Sequence, residues 1–211
     1  MPGGGGGGGF DSAPGGAGGS GGVVITFVVP AAPTAQTITW TQTLNNLAVT
    51  AAGPTLTATA TSGLAVTYSG TTNVCTVAGS QVSLVGIGTC TITAQQAGNA
   101  SYAAATDVTK SFAVYALPGS ATVTVVPGLD SATVSWTAPA ANNSPISGYA
   151  VMATPAGGGA IACPVNGMAA TCSITGGKDY TFDVYAANEA GTAAIGSQTV
   201  PVQTTGTLSI T

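Results

Sequence analysis

Charged side chains are almost absent from this sequence. Its 211 residues include two lysines (Lys110 and Lys178), no arginine, no histidine and six acidic residues, which gives a net charge of -4. A nucleic-acid partner requires a cluster of Lys and Arg that displaces condensed counterions, and an anionic membrane surface requires a polybasic patch. The composition therefore excludes both kinds of partner.

The lack of histidine also limits catalysis. Residues 18–22 fit the G-x-S-x-G pattern, but a serine nucleophile needs a base, and the chain has no histidine to be one. Residues 16–21 fit G-x-G-x-x-G, yet they precede an apolar run, whereas a dinucleotide site must follow a strand and open a helix. Both matches are expected by chance in a glycine-rich segment. We expect no catalytic residue, no cofactor and no enzyme activity.

Metal ligands are equally scarce. Zinc sites use Cys and His at spacings of a few residues, whereas the cysteines within each pair here are nine or fifteen positions apart and the chain has no histidine. The closest carboxylates, Asp179 and Asp183, are four positions apart on one predicted strand. We expect no metal site; the alternative is a calcium ion held between domains by Asp107 or Asp130 together with backbone carbonyls.

Long apolar runs are missing as well. The longest, at residues 23–29, is far below the roughly 20 residues that a membrane-spanning helix needs. It predicts a strand or linker over residues 23–32. The N-terminus has neither the basic nor the apolar region of a secretory signal. We expect an internal piece of a longer exported protein, the alternative being export by a route that leaves no such mark.

Glycine dominates residues 1–22. Glycine orders at a high entropic cost and has no side chain to bury, so we predict a disordered or extended tail. The step from glycine runs into a Val/Ile strand, at residues 15–25, resembles the closing edge of glycine-rich domains in exported bacterial and phage tail proteins.

The four cysteines form two close pairs, one in each predicted domain. Cys75 is near Cys90, and Cys163 is near Cys172. An even number, local pairing and strand-like surroundings predict two disulfides and an oxidising compartment. The alternative is four buried free thiols in a cytosolic protein.

Short runs that alternate Thr with apolar residues fill residues 33–116, cut by Gly and Asn. This is the pattern of half-buried strands, and no window has a capped helical period. The segment resembles the immunoglobulin-like repeat of large bacterial surface proteins, which implies a β-sandwich. The resemblance is carried by residues 36–40, 62–69, 74–77, 88–94 and 97–102.

A second sandwich is predicted over residues 117–204, and this segment resembles the fibronectin type III domain. The resemblance rests on residues 132–136 with Trp136, on residues 146–151, and on Ile174 followed six residues later by Tyr180, a spacing similar to the tyrosine corner of such domains. The predicted fold class is therefore all-β: two tandem sandwiches preceded by the glycine-rich tail. Residues 205–211 are predicted to form a C-terminal tail.

Most aromatic residues alternate with Thr and Ser and are therefore predicted to face inward. The predicted structural core comprises Trp40, Trp136, Tyr149 and Tyr180. Tyr102 and Tyr185 are predicted to lie outside it.

The surroundings of Cys163 and Cys172 give conflicting signals. A tight hairpin would turn at Gly167–Met168, but it would place Pro164 at a hydrogen-bonded position that needs an N–H. In a type III sandwich this stretch crosses between sheets. The resemblance therefore implies a disulfide across a loop and not within a regular hairpin.

These features favour a non-catalytic spacer module of a bacterial cell-surface or secreted adhesin-like protein, exported and extracellular, with other repeats or subunits of that protein as partners. One alternative is a self-assembling extracellular fibre subunit that associates by strand addition. Its candidate residues are Val23, Val24, Ile25, Phe27 and Val29, or the C-terminal tail. The other alternative is a carbohydrate- or surface-binding module, including the phage tail type, that uses loops at one end of a sandwich.

Overall fold

A computed structural model describes residues 30–71 and 73–204, where the regular secondary structure consists of β-strands. The predicted all-β fold is confirmed. In the described part of the chain, no helix has the length and apolarity needed to cross a membrane. The candidate strand-addition residues 23–29, the glycine-rich tail and residues 205–211 lie outside the described residues.

Among the described residues, the first sandwich contains eight strands. They are β1 (Ile38–Thr39), β2 (Leu47–Ala48), β3 (Thr59–Ala60), β4 (Thr67–Gly70), β5 (Cys75–Ala78), β6 (Gln81–Leu84), β7 (Gly88–Gln95) and β8 (Val108–Tyr115). One layer is the sheet β2-β8-β7-β4, in which β2 runs parallel to β8. The short pairs β1-β3 and β5-β6 lie across the core from it, and a bridge between Thr55 and Gln81 connects them.

Alternation along β7 explains why this sequence forms a half-buried sheet. Cys90 and Ile92 are fully buried, whereas Thr91 between them and Thr89 and Thr93 on either side face outward. Thr91 and Ser111 share a hydroxyl hydrogen bond of 3.0 Å across the ladder with β8. β-Branched residues favour this pleated surface and pair across strands, which wets the outer face without ions.

The second sandwich also contains eight strands. They are β9 (Val123–Pro127), β10 (Ser131–Trp136), β11 (Gly148–Pro155), β12 (Ile161–Cys163), β13 (Val165–Asn166), β14 (Ala169–Ser173), β15 (Lys178–Asn188) and β16 (Gly191–Val202). They form two four-stranded sheets, β13-β14-β10-β9 and β12-β11-β15-β16. Phe182 and Val184 of β15 are fully buried between them. Both sandwiches belong to one compact unit that begins at Pro33.

Each sandwich contains one disulfide, and each disulfide joins the two layers of its sandwich. Cys75 of β5 is bonded to Cys90 of β7, and Cys163 of β12 is bonded to Cys172 of β14. The described residues contain no free cysteine. The prediction of two local disulfides is confirmed.

Pro164 resolves the conflicting signals around the second disulfide. The chain leaves one sheet after β12 and enters the other as β13, so Pro164 lies at the change of sheet and no ladder needs its missing N–H. A tight hairpin does follow, because Asn166 pairs with Ala169 and Gly167 has a φ of 63°. The disulfide lies outside this hairpin, in agreement with the prediction.

Glutamine amides connect strands within the first sandwich. Gln36 is buried, and its Nε2 donates to Gln96 Oε1 at 2.8 Å and to the Ala103 carbonyl at 2.6 Å. Ser62 Oγ donates to Gln36 Oε1. Burial of a neutral amide requires such saturation, since an unpaired buried polar group costs about 1–3 kcal/mol.

Candidate functional site

The predicted core residues lie in the two cores, with one partial exception. Trp40, Trp136 and Tyr180 are buried. Tyr149 is half-buried and packs on the second core with its ring 5.4 Å from that of Trp136. Tyr180 O–H donates to the Thr175 carbonyl at 3.0 Å, which is the local bond of a tyrosine corner.

The two aromatics that were predicted to lie outside are both half-buried. Tyr185 pairs with Ala150 on β11, and the backbone carbonyl of Tyr102 accepts a hydrogen bond from the Asn99 N–H at 2.8 Å. Half-burial leaves part of each residue accessible to solvent.

The two tryptophans differ in their indole N–H groups. Trp40 Nε1 donates to Gln42 Oε1 at 3.1 Å, and Lys110 Nζ lies 5.4 Å from the Trp40 ring centroid. Trp136 Nε1 is buried, and among the described residues it has no hydrogen-bond partner. The second tryptophan therefore contributes apolar packing while its N–H opposes burial.

This difference predicts unequal effects of phenylalanine at the two sites. We expect Trp40→Phe to lower the free energy of unfolding by about 1 kcal/mol more than Trp136→Phe, because only the first variant loses a hydrogen bond. Calorimetric unfolding of both variants beside the parent chain measures the difference. An equal or larger loss in Trp136→Phe would contradict the prediction.

The acidic residues are dispersed. In the part of the chain that the structure describes, no three His, Cys, Asp or Glu side chains come close enough to share a metal ion. Asp107 Oδ2 accepts from Gln95 Nε2, and Asp130 Oδ1 accepts from the Gly176 N–H at 2.7 Å.

A calcium ion between the sandwiches, with Asp107 or Asp130 as ligand, does not fit this arrangement. Asp107 precedes β8, and the sandwiches meet at the other end of that strand, eight residues and about 27 Å away at the usual rise. Asp130 lies where β16 ends, because its N–H donates to the Gln203 carbonyl. The alternative that placed these carboxylates between the domains is wrong.

The junction between the sandwiches is built from side-chain amides that bond to backbone carbonyls. Two asparagines of the second sandwich hold the connector that follows β8. Asn142 Nδ2 donates to the Leu117 carbonyl at 2.6 Å, and the backbone carbonyl of Asn142 accepts from the Ala116 N–H at 3.1 Å. Asn188 Nδ2 donates to the Ala116 carbonyl at 2.8 Å and to the Ala141 carbonyl at 3.1 Å.

Asn143 reaches across the junction to the first sandwich. Its Nδ2 donates to the Gly88 carbonyl at 2.8 Å and to the Val114 carbonyl at 3.0 Å. Gly88 and Val114 form the pair that ends the β7-β8 ladder. The Asn143 amide therefore uses both of its N–H groups to bond the two carbonyls of this last ladder pair.

The backbone of residues 142–144, hereafter the asparagine loop, suits this contact. Asn142 and Asn143 have φ angles of 51° and 67°, in the left-handed region. Asparagine tolerates that region better than other side chains with a Cβ, so the residue type that provides the amide also permits the turn. Ser144 is buried and its Oγ accepts from the Glu189 N–H at 3.2 Å.

An apolar cleft of about 270 Å³ lies beside these amides. It is lined by Ala48, Val49, Thr50, Tyr115, Ala116, Leu117 and Ala190. Residues from both sandwiches therefore form its walls, and the connector forms its floor. Small apolar side chains and neutral amides together make up the junction.

Sequence reasoning did not identify the asparagine loop as a site. Asn142-Asn143-Ser144 matches a glycosylation acceptor and otherwise resembles any polar loop. The usable signal was the consecutive pair of asparagines, since two adjacent residues that tolerate a positive φ indicate a built turn. The acceptor carbonyls carry no sequence signal.

Comparison with known proteins identifies one domain. Residues 118–203 match the fibronectin type III domain family. This is the segment whose strands β9 to β16 form the second sandwich. A disulfide-bonded domain of this kind is typical of extracellular proteins. No curated protein matches the chain.

Two solved structures are similar to parts of the chain. The kinase region of C. elegans twitchin is 21% identical, with a TM-score of 0.37, and the match covers 41% of this chain and 17% of that one. The FN1-FN3 domains of chicken CNTN1 are 14% identical, with a TM-score of 0.35, and the match covers 56% of this chain and 43% of that one. The chain thus spans less than half of either protein structure.

Proposed function

We propose that this chain is a non-catalytic structural spacer of a bacterial surface or secreted adhesin-like protein, in which two sandwiches keep a fixed relation to each other. The observation that supports this function is the amide of Asn143, which is bonded to two carbonyls of the neighbouring sandwich. A flexible tether would need no such contact. A spacer that positions other parts of a protein needs an ordered contact of this kind at each junction between its domains.

The short connector agrees with this proposal. β8 ends at Tyr115 and β9 begins at Val123, and backbone groups between them are bonded on both sides. Ala116 N–H donates to Asn142, and Ala121 N–H donates to the Ile195 carbonyl at 2.7 Å. The connector is therefore part of the fold and differs from a Gly/Ser linker, which behaves as a random coil.

The edges of the second sandwich make strand addition the weaker proposal. Pro127 lies in β9 and Pro201 in β16, which are two of the four edge strands. Pro164 lies between β12 and β13, which are the other two. A proline cannot donate to an incoming strand, and prolines at edges are a usual protection against unwanted pairing. With so few lysines in the chain, proline provides the protection that charge provides elsewhere.

A single substitution tests the spacer. We expect Asn143→Asp to uncouple the two sandwiches, because it replaces the two N–H donors with a carboxylate beside two carbonyl oxygens and so removes about 2 kcal/mol of hydrogen bonding. Asp tolerates a positive φ almost as well as Asn, which keeps the loop shape. ¹⁵N relaxation should show one shared tumbling time in the parent chain and two faster ones in the variant.

Asn166→Asp is the matched control. It makes the same change of charge at an exposed asparagine that takes no part in the hydrogen bonds of the junction, and it should keep the shared tumbling time. Independent tumbling of the sandwiches in the parent chain would reject the spacer. A shared time that survives in Asn143→Asp would show that the amide is not what holds the junction.

A further inference from the structure

The two sandwiches end in the same way, as their strand registers show. Gly88 pairs with Val114 at the end of the β7-β8 ladder, and Lys178 pairs with Val202 at the end of the β15-β16 ladder. In both sandwiches the second residue of the pair belongs to the last strand. We refer to this end of each sandwich as its exit end.

In both sandwiches, the residue that follows the second member of this pair accepts a backbone hydrogen bond. Val49 N–H donates to the Tyr115 carbonyl at 2.8 Å, and Asp130 N–H donates to the Gln203 carbonyl at 3.0 Å. Tyr115 follows Val114, and Gln203 follows Val202. The two exit ends therefore agree at three backbone positions: the first residue of the ladder pair, its partner, and the residue after that partner.

Parallel bridges extend the correspondence to an apolar side chain. Ala48 pairs in parallel with Tyr115, and Leu129 pairs in parallel with Gln203. Leu129 thus takes the place of Ala48, which lines the cleft at the junction. Ala48 is half-buried, whereas Leu129 is 61% exposed.

The exit end of the second sandwich also has a concave surface at the corresponding place. A depression of about 420 Å³ is lined by Gly177, Lys178, Asp179, Pro201, Val202, Gln203 and Thr204. In the first sandwich the corresponding ladder pair lies under Asn143. One lysine and one aspartate line this depression, so their charges offset each other. A neutral amide loop would therefore meet no net charge there.

We propose that the exit end of the second sandwich is an acceptor surface for a further sandwich that carries an asparagine loop like residues 142–144. The asparagine would donate to the carbonyls of Lys178 and Val202, and an apolar residue beside it would cover Leu129. A carbonyl oxygen has two lone pairs, so Val202 can accept this bond besides the one from Gly177 N–H at 2.8 Å. The proposal rests on the spacer function and adds the partner that the second exit end recognises.

The occupant is argued from the junction already present in the chain. Two of these backbone positions, the carbonyls of Gly88 and Val114, bind the asparagine loop at the first exit end. The second exit end adds a large exposed leucine. The donor chemistry of the partner is therefore a side-chain amide next to a small apolar contact.

The test inserts a second copy of residues 117–204 directly after Thr204 of the full chain. The inserted copy provides an asparagine loop at the distance from the exit end that the natural junction has. Hydrogen exchange is followed at residues 128–131 and 201–204 of the original copy. In the matched control, the residue of the inserted copy that corresponds to Asn143 is replaced by Asp.

We expect exchange at these residues to be about thirtyfold slower in the duplicated chain than in its matched control, as the loss of two hydrogen bonds of about 1 kcal/mol each requires. Leu129→Ser in the original copy should reduce the protection, and because the side chain is already exposed the variant should fold normally. Equal exchange in the duplicated chain and the control would overturn the proposal. So would protection of the same residues in the parent chain by self-association, seen as a doubled mass in size exclusion.

The outcomes separate this inference from the spacer itself. The natural junction at Asn143 is present in every duplicated chain and serves as an internal reference. If that junction stays rigid while the inserted one moves freely, only the acceptor surface is rejected. If both move freely, the spacer is rejected with it.

Discussion

Replacing Cys75 and Cys90 together by alanine is expected to lower the free energy of unfolding of the first sandwich by about 3 kcal/mol, the loop-closure value for a separation of 15 residues. Both sulfurs are fully buried, and the bond joins the two layers of the sandwich. Because the strands β1, β2 and β3 are only two residues long, this sandwich has few ladder bonds to replace the covalent one. Calorimetry under non-reducing conditions measures the loss.

The second disulfide provides a reciprocal control. The double variant Cys163→Ala with Cys172→Ala opens a separation of 9 residues and should cost the second sandwich about 2.6 kcal/mol by the same relation. Each double variant should lower mainly the transition of its own sandwich. If the Cys75 and Cys90 variant left the first transition unchanged, the covalent bond would not be what compensates for the short strands.

Gly176→Ala is expected to destabilise the second sandwich by about 2–3 kcal/mol, in the range of overpacking. A Cβ at Gly176 would lie 2.1 Å from the Gln203 carbonyl oxygen and 2.7 Å from the Thr204 Cα. Both contacts are to backbone, so no side chain can rotate away and the end of the last strand must shift. The shift would also weaken the bond from Gly176 N–H to Asp130. Denaturant unfolding measures the loss.

Gly148→Ala is the matched control for this change. A Cβ at Gly148 would have no neighbour within 4 Å, and the residue begins β11 at an exposed position. Its effect should stay within about 0.5 kcal/mol. A cost at Gly148 similar to that at Gly176 would show that lost backbone freedom dominates and not the clash.

The sequence was informative wherever a residue type repeats at the strand period. Thr alternating with apolar residues predicted the long strand β7, in which Thr91 faces outward between the buried Cys90 and Ile92. The spacing from Ile174 to Tyr180 predicted a tyrosine corner, and Tyr180 makes the local bond that such a corner requires. Proximity of the cysteines in sequence was enough to predict their pairing, because each pair lies on strands that face each other across a thin sandwich.

The junction could not be predicted because its bonds join distant parts of the chain to groups that every residue has. Asn143 contacts carbonyls 29 and 55 residues away, and the identities of Val114 and Gly88 do not determine that role. Gln36 is a similar case, since its partners Gln96 and Ala103 are 60 and 67 residues away. Polar side chains that satisfy backbone groups at long range follow from the assembled fold, which a local pattern does not contain.

The disulfides that join the layers also determine how the chain would extend under tension. When the two ends of a sandwich are pulled apart, the segment enclosed by a disulfide cannot lengthen even after every strand has separated. At about 3.4 Å per residue, the separations of 15 and 9 residues shorten the fully extended chain by about 50 Å and 30 Å. An unravelled spacer would therefore remain shorter than its residue count implies, and each sandwich would keep its two layers tied together while it refolds.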